Sequence, residues 1–114
     1  MGDVKVAMAN LGFPIENIPR IQDPKMGGSI LLDLGVYTLN FADIVFGGEK
    51  PESIHASGHL FGTGVDHTVS VTMLYSNKRT AQLLCTGGKV YIYRPQCINI
   101  TINASLYMYH KCSI

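Results

Sequence analysis

Asp33 interrupts the leucine run of GGSILLDLGVY (residues 27–37), and Tyr37 closes it four residues later. An unpartnered buried charge is costly, so a carboxylate among leucines either faces water or has a neighbour that compensates it. With about 100° between successive residues of a helix, Asp33, Tyr37 and Asn40 stand at i, i+4 and i+7 and form one narrow polar stripe. Their chemistry is complementary. An ionised carboxylate only accepts hydrogen bonds, whereas a phenol and an amide both give and accept. A stripe of this kind on a buried helix would face a cleft. The competing reading is that Asp33 accepts hydrogen bonds from a neighbouring backbone or arginine, and that Tyr37 is a core tyrosine with a satisfied hydroxyl. The residues alone leave both readings open.

The element that must hold the stripe is a helix from Ser29 to about Phe46. Ser29 is placed to cap its start, and Gly47-Gly48 stops it. Ile30, Leu34, Phe41 and Ile44 cluster in one arc, flanked by Leu31 and Thr38. Leu32, Val36 and Leu39 lie on much of the opposite side. A helix apolar nearly all round is expected to be buried between two layers. Gly27-Gly28, just before it, permits close approach of another segment or a ligand, or else makes an ordinary tight turn. No GxGxxG dinucleotide fingerprint occurs anywhere.

Around the helix, GDVKVAMANLGF alternates as a strand and PIENIPRIQDPKMGG reads as a long loop. Loops of this length are uncommon and often functional. After the helix come strands: PESIHASGHLF, then DHTVSVTMLYS and RTAQLLCT joined by a short turn at SNK. KVYIYRP and CINITIN read as two more, and LYMYHKCSI as a last strand or a frayed end. The expected class is α+β, with a long helix packed on an open, largely antiparallel sheet. Tyr75, Tyr91 and Tyr93 are expected on the sheet's exposed face, which would be apolar and aromatic.

Composition narrows the function classes. Of 114 residues, 46% are hydrophobic and 15% charged, enough apolar content for a core. The net charge is +1 with scattered Lys and Arg, which argues against nucleic acid or an anionic membrane as partner. No apolar run is expected to approach the roughly 20 residues of a membrane span. Cys85, Cys97 and Cys112 are odd in number and form no CxxC, so a reducing, cytoplasmic setting without disulfides or zinc is expected. No leader is apparent, and the patterns at Asn99 and Asn103 then read as strand residues rather than glycosylation sites. His55 and His59, on a strand, would share a face some 13 Å apart, too far for a common metal. His67 follows Asp66, which reads as a turn residue. Arg20 and Lys25 lie in the long loop.

GGSILLDLGVYTLNFADIVFGGEKPESI, continued by TGVDHTVSVTMLY, resembles the C-terminal domain of the glucose–fructose oxidoreductase/inositol dehydrogenase (Gfo/Idh/MocA) family, and within it the dimeric dihydrodiol dehydrogenase branch. The likeness runs from about Gly2 to Thr86. It implies a two-domain, NADP-dependent enzyme oxidising trans-dihydrodiols and pentoses such as D-xylose. Residues 1–86 would be part of the C-terminal substrate and dimerisation domain, and residues 87–114 a divergent strand-rich tail. The N-terminal Rossmann domain would be absent. Asp33 and Asn40 would bind substrate, and the resemblance sets the long loop close to the cleft, where Arg20 or Lys25 could touch substrate or a cofactor phosphate. Tyr37 would be the general acid/base, with Asp33 placing a hydroxyl beside it. One helical turn apart, the two side chains can reach the same small polyol. A tyrosine has an unperturbed pKa near 10, and as a base near neutrality it needs a cation beside it. The family supplies a lysine from an E-K-P motif that precedes this helix. Glu49-Lys50-Pro51 follows the helix and reads as a connecting loop instead.

Three functional classes follow. The chain is the substrate side of a dehydrogenase, inactive by itself. Or it is a non-catalytic truncated module that pairs, as the family's homodimers would, through its β-sheet. Or it exposes too much apolar edge to persist as a folded protein.

Overall fold

A computed structural model describes residues 3–90, together with 102–103 and 106–107. Strand β1 (Val6–Gly12) leads into the long loop, which carries a one-turn helix α1 (Pro19–Gln22) and a 3-10 turn (Pro24–Met26). A π-helical segment (Leu31–Gly35) runs directly into α2 (Val36–Val45). Strands β2 (Ser53–Leu60), β3 (Asp66–Tyr75) and β4 (Arg79–Thr86) follow, and the short pieces β5 (Ile102–Asn103) and β6 (Leu106–Tyr107) complete one sheet. The order across it is β2-β3-β4-β1-β5-β6. The rest of the predicted KVYIYRP, CINITIN and LYMYHKCSI strands lies outside the described residues, as do Tyr91 and Tyr93.

The α+β class and the helix on a sheet stand as expected. β2, β3 and β4 form an antiparallel meander, with Ile54 opposite Met73 and Val71 opposite Leu83. β1 is the exception: it lies parallel to β4, Val6 beside Thr80 and Leu11 beside Cys85, so the sheet is mixed. The β3–β4 turn is short, as SNK predicted, with Asn77 and Lys78 at φ 56° and 57°.

Strand alternation sets the core. Ala7, Ala9 and Leu11, Val71, Met73 and Tyr75, and Ala81, Leu83 and Cys85 all turn to the helix side and are buried. Tyr75 shares the phase of Val71 and Met73, so it is in the core and not on the outer face. Its ring packs on Phe46 at 4.5 Å between centroids. The outer face is hydroxyl- and histidine-rich rather than aromatic: His55, Ser57, Ser70, Thr72 and Gln82 stand there with Met8 and Leu74.

The helix departs from the sequence wheel. Ile30, Leu34, Thr38, Ala42 and Phe46 are buried, but Ile44 is 70% exposed. The cause is the π segment. Its wider i→i+5 turn advances less per residue than an α-helix, so everything after Gly35 lags the regular wheel. The buried face then passes through Thr38 and Ala42. Leu32, Val36 and Leu39 are exposed as well, so among the described residues the helix has one packed face and one open apolar face. The Pro24–Val45 stretch, at 22 residues, is also long and apolar enough to cross a membrane, against the expectation that no run reached that length. One face of that stretch, through Ile30, Leu34, Thr38 and Ala42, is buried.

Candidate functional site

The stripe is held at the junction of three elements. Ser29 caps the helix as its position predicted: its Oγ accepts a hydrogen bond from the Leu32 N–H at 3.1 Å. A second cap comes from Asp66, whose Oδ2 accepts from the Leu31 N–H at 2.6 Å. Asp66 is therefore more than a turn residue. It ties the start of β3 to the positive end of the helix, where a carboxylate is favoured. Nothing local in sequence signals this, because the two residues meet only through the sheet.

The long loop reaches the stripe from the other side. Ile21 of α1 is fully buried against Ile30, Leu34, Leu11 and Cys85. Gly28 makes this possible. A methyl group on it would stand 2.4 Å from the Ile21 carbonyl oxygen and 2.7 Å from that of Arg20. So Gly28 serves close approach of the chain, whereas Gly27, at φ 70°, is the tight turn beside it. Arg20 is thereby set beside Asp33. Its Nη2 donates to Asp33 Oδ2 at 2.8 Å, with a longer contact from Nη1 to Oδ1 at 3.4 Å. The carboxylate holds the Arg20 guanidinium in its charged form, raising its pKa further above its ordinary value. Asp33 thus has the arginine partner that the simpler reading called for. It nevertheless stays 27% exposed in its side chain. Lys25 points to solvent, and its backbone N–H donates to Asp23.

Tyr37 follows one turn later and is 64% exposed, so it is not a core tyrosine. Asn40 is exposed too, but it turns toward a different place: an open groove of about 420 Å³ between α2 and β2–β3, lined also by Val36, Leu39, Asp43 and Ile54. The structure therefore groups Asp33 with Arg20, leaves Tyr37 open beside them, and sets Asn40 toward the groove.

The remaining candidates have structural partners. Glu49 accepts from Ser76 Oγ at 2.6 Å and pairs with Arg79, which lies over the Phe46 ring at 5.4 Å. That clamp fixes the loop after the helix, in keeping with the connecting role read for Glu49-Lys50-Pro51, and lowers the Glu49 pKa through the Ser76 and Arg79 hydrogen bonds. His67 lies 3.0 Å from Glu16 and 2.8 Å from Thr68 Oγ1, joining the loop to the sheet end. His55 and His59 lie exposed on β2. Among the described residues no group of three or more His, Cys, Asp or Glu is placed to hold a metal ion.

Comparison with known proteins sets this geometry in a family. A family model described as the GFO/IDH/MocA C-terminal domain matches residues 1–104. The chain is 49% identical over 86 residues to the trans-1,2-dihydrobenzene-1,2-diol dehydrogenase of Xenopus laevis, covering 75% of this chain and 26% of that protein. The proteins of the same description from Sus scrofa and Homo sapiens are 45% and 40% identical over the same length and the same shares. A solved structure from Bordetella bronchiseptica RB50, named as a dehydrogenase, superposes with a TM-score of 0.61 at 14% identity, covering 75% of this chain and 24% of that one. The last likeness concerns the fold alone. The chain spans about a quarter of the length of the relatives it matches.

Proposed function

This chain belongs to the GFO/IDH/MocA family through its C-terminal domain, and on that premise we propose that it forms the substrate side of an NADP-dependent dehydrogenase acting on trans-dihydrodiols and on pentoses such as D-xylose. The observation that carries the reading is the pairing of an arginine-held carboxylate with an open tyrosine one turn further along the same helix. Relatives at 40–49% identity named as trans-1,2-dihydrobenzene-1,2-diol dehydrogenases support it.

In this reading Asp33 accepts a hydrogen bond from a substrate hydroxyl and fixes the sugar or diol over the helix. Tyr37, as phenolate, takes the proton of the reacting hydroxyl while the hydrogen on the same carbon leaves as hydride and the carbonyl forms. A nicotinamide cofactor would supply the hydride acceptor. The described residues offer it an open tyrosine and no glycine-rich cradle, so its phosphates would be held by the part of the relatives that this chain does not span. A cation is also required beside Tyr37 to make the phenolate available near neutrality. Lys50 is not assigned that role, because it belongs to the connecting loop that Glu49 ties to Ser76 and Arg79 after the end of α2. Asn40, facing the groove, would bind the distal end of a longer substrate. By itself the chain is expected to be inactive.

The test is a graft. The matching 86-residue segment of the Xenopus laevis relative is replaced by that of this chain, and NADP reduction by the trans-dihydrodiol is followed. The graft should turn over. Tyr37→Phe should lower kcat by a factor on the order of 10²–10⁴, the usual worth of a general acid/base, while the dissociation constant for NADP stays within about twofold. A graft that binds NADP and oxidises no diol would refute the reading.

A further inference from the structure

We propose that Arg20 is a substrate-binding residue for this reaction, joining the Asp33 carboxylate that it holds in reading the second, non-reacting hydroxyl of a vicinal diol. The inference rests on the dehydrogenase reading above and adds a residue and a basis for substrate choice to it.

The root of Arg20 is fixed on two sides. Ile21, the next residue, is fully buried in the core cluster with Ile30 and Leu34. The backbone carbonyls of Arg20 and Ile21 are pressed against Gly28, where a side chain has no room. The guanidinium meets both carboxylate oxygens, at 2.8 Å and 3.4 Å. Asp33 itself sits in the π segment, where the wider turn re-aims side chains relative to a regular helix. Yet the pair is half open to water, with side-chain exposures of 50% and 27%. An ion pair so exposed contributes little to folding. The anchored loop and the two-point contact are better explained by a demand on the direction of the carboxylate than by stability.

The leftover valences define the ligand. A carboxylate offers about four acceptor positions, and Arg20 takes two. A guanidinium carries five N–H groups, so about three remain. A single hydroxyl can therefore donate to a free lone pair of Asp33 and accept from a free N–H of Arg20. Tyr37, one turn away, needs a different hydroxyl, the one that reacts. Two neighbouring hydroxyls satisfy both stations, whereas a monoalcohol satisfies Tyr37 alone. Lysine could supply the charge but not the two-pronged plane that fixes the carboxylate.

The experiment compares trans-cyclohexane-1,2-diol with cyclohexanol as substrates of the grafted enzyme carrying Arg20, Arg20→Lys or Arg20→Gln. Arg20→Gln should raise KM for the diol roughly tenfold, the worth of one charged hydrogen bond, with kcat changed less than about threefold and cyclohexanol kcat/KM unaltered. Arg20→Lys should fall between. Equal losses on both alcohols, or no rise in the diol KM, would overturn the proposal. A graft that oxidises neither alcohol with Arg20 in place would instead defeat the dehydrogenase reading. In the full 114-residue chain a second readout is independent of turnover. Asp33→Asn should shift the Arg20 guanidinium NMR signal, and an unmoved signal would also overturn the proposal.

Discussion

Cys85 shows how far one side chain's surroundings can move its chemistry. It is buried beneath the π segment, and burial together with the Asp66 carboxylate pushes its thiol up to about 11 from a reference of 9.0. In the unfolded chain the thiol ionises first, so between about pH 9 and 11 the folded state holds the extra proton. Stability is then fully present below pH 9 and declines as the pH rises, by at most about 1.4 kcal/mol per unit. Thermal melts at pH 8, 9 and 10 should show a falling midpoint, and Cys85→Ala should flatten that slope. At the same scale, legibility depended on sequence distance. Ser29 was readable as a cap because it bonds three residues ahead. The caps and partners supplied by Asp66 and Arg20 were not, because Arg20 meets Asp33 across a loop and Asp66 meets Leu31 across the sheet.

Among the elements, the helix and its loop form one unit. The sequence placed the helix ends correctly from Ser29 and Gly47-Gly48, since caps and breakers are local signals. It misplaced the buried face, since a π turn leaves no mark in apolar spacing and Ile44 is thereby turned out while Thr38 and Ala42 are turned in. The loop is fixed by the contact of Gly28 with the backbone of Arg20 and Ile21. Gly28→Ala should therefore cost about 1–3 kcal/mol, the usual cost of forcing extra volume into a packed site, readable as a lowered midpoint in urea. It should also release Arg20 from Asp33, so the guanidinium signal should change as it does in Asp33→Asn. Gly27→Ala meets no neighbour and would strain only its own left-handed φ of 70°.

At the scale of the molecule, two broad faces stand open among the described residues: the apolar outer side of α2 and the hydroxyl-rich outer side of the sheet. The family resemblance leads us to propose pairing of two copies through the sheet. Thr72, midway along β3 on that side, is a direct probe. Thr72→Arg should halve the mass seen in analytical ultracentrifugation without moving the melting temperature by more than about 2 °C, as befits a surface change. The class of fold was legible because strands alternate and the helix is long. The sheet order was not, because nothing near Val6 names Thr80 as its neighbour. That parallel pairing also orders events in time. Strand β1 has its two places in the sheet, beside β4 and β5, reserved by residues made much later than itself. Until then Ala7, Ala9 and Leu11 have no sheet to join. Closure over so long a stretch is slow relative to a hairpin. The β3–β4 hairpin can assemble first, and β1, made before it, is then built in after it, which makes β1 the natural point of chaperone dependence.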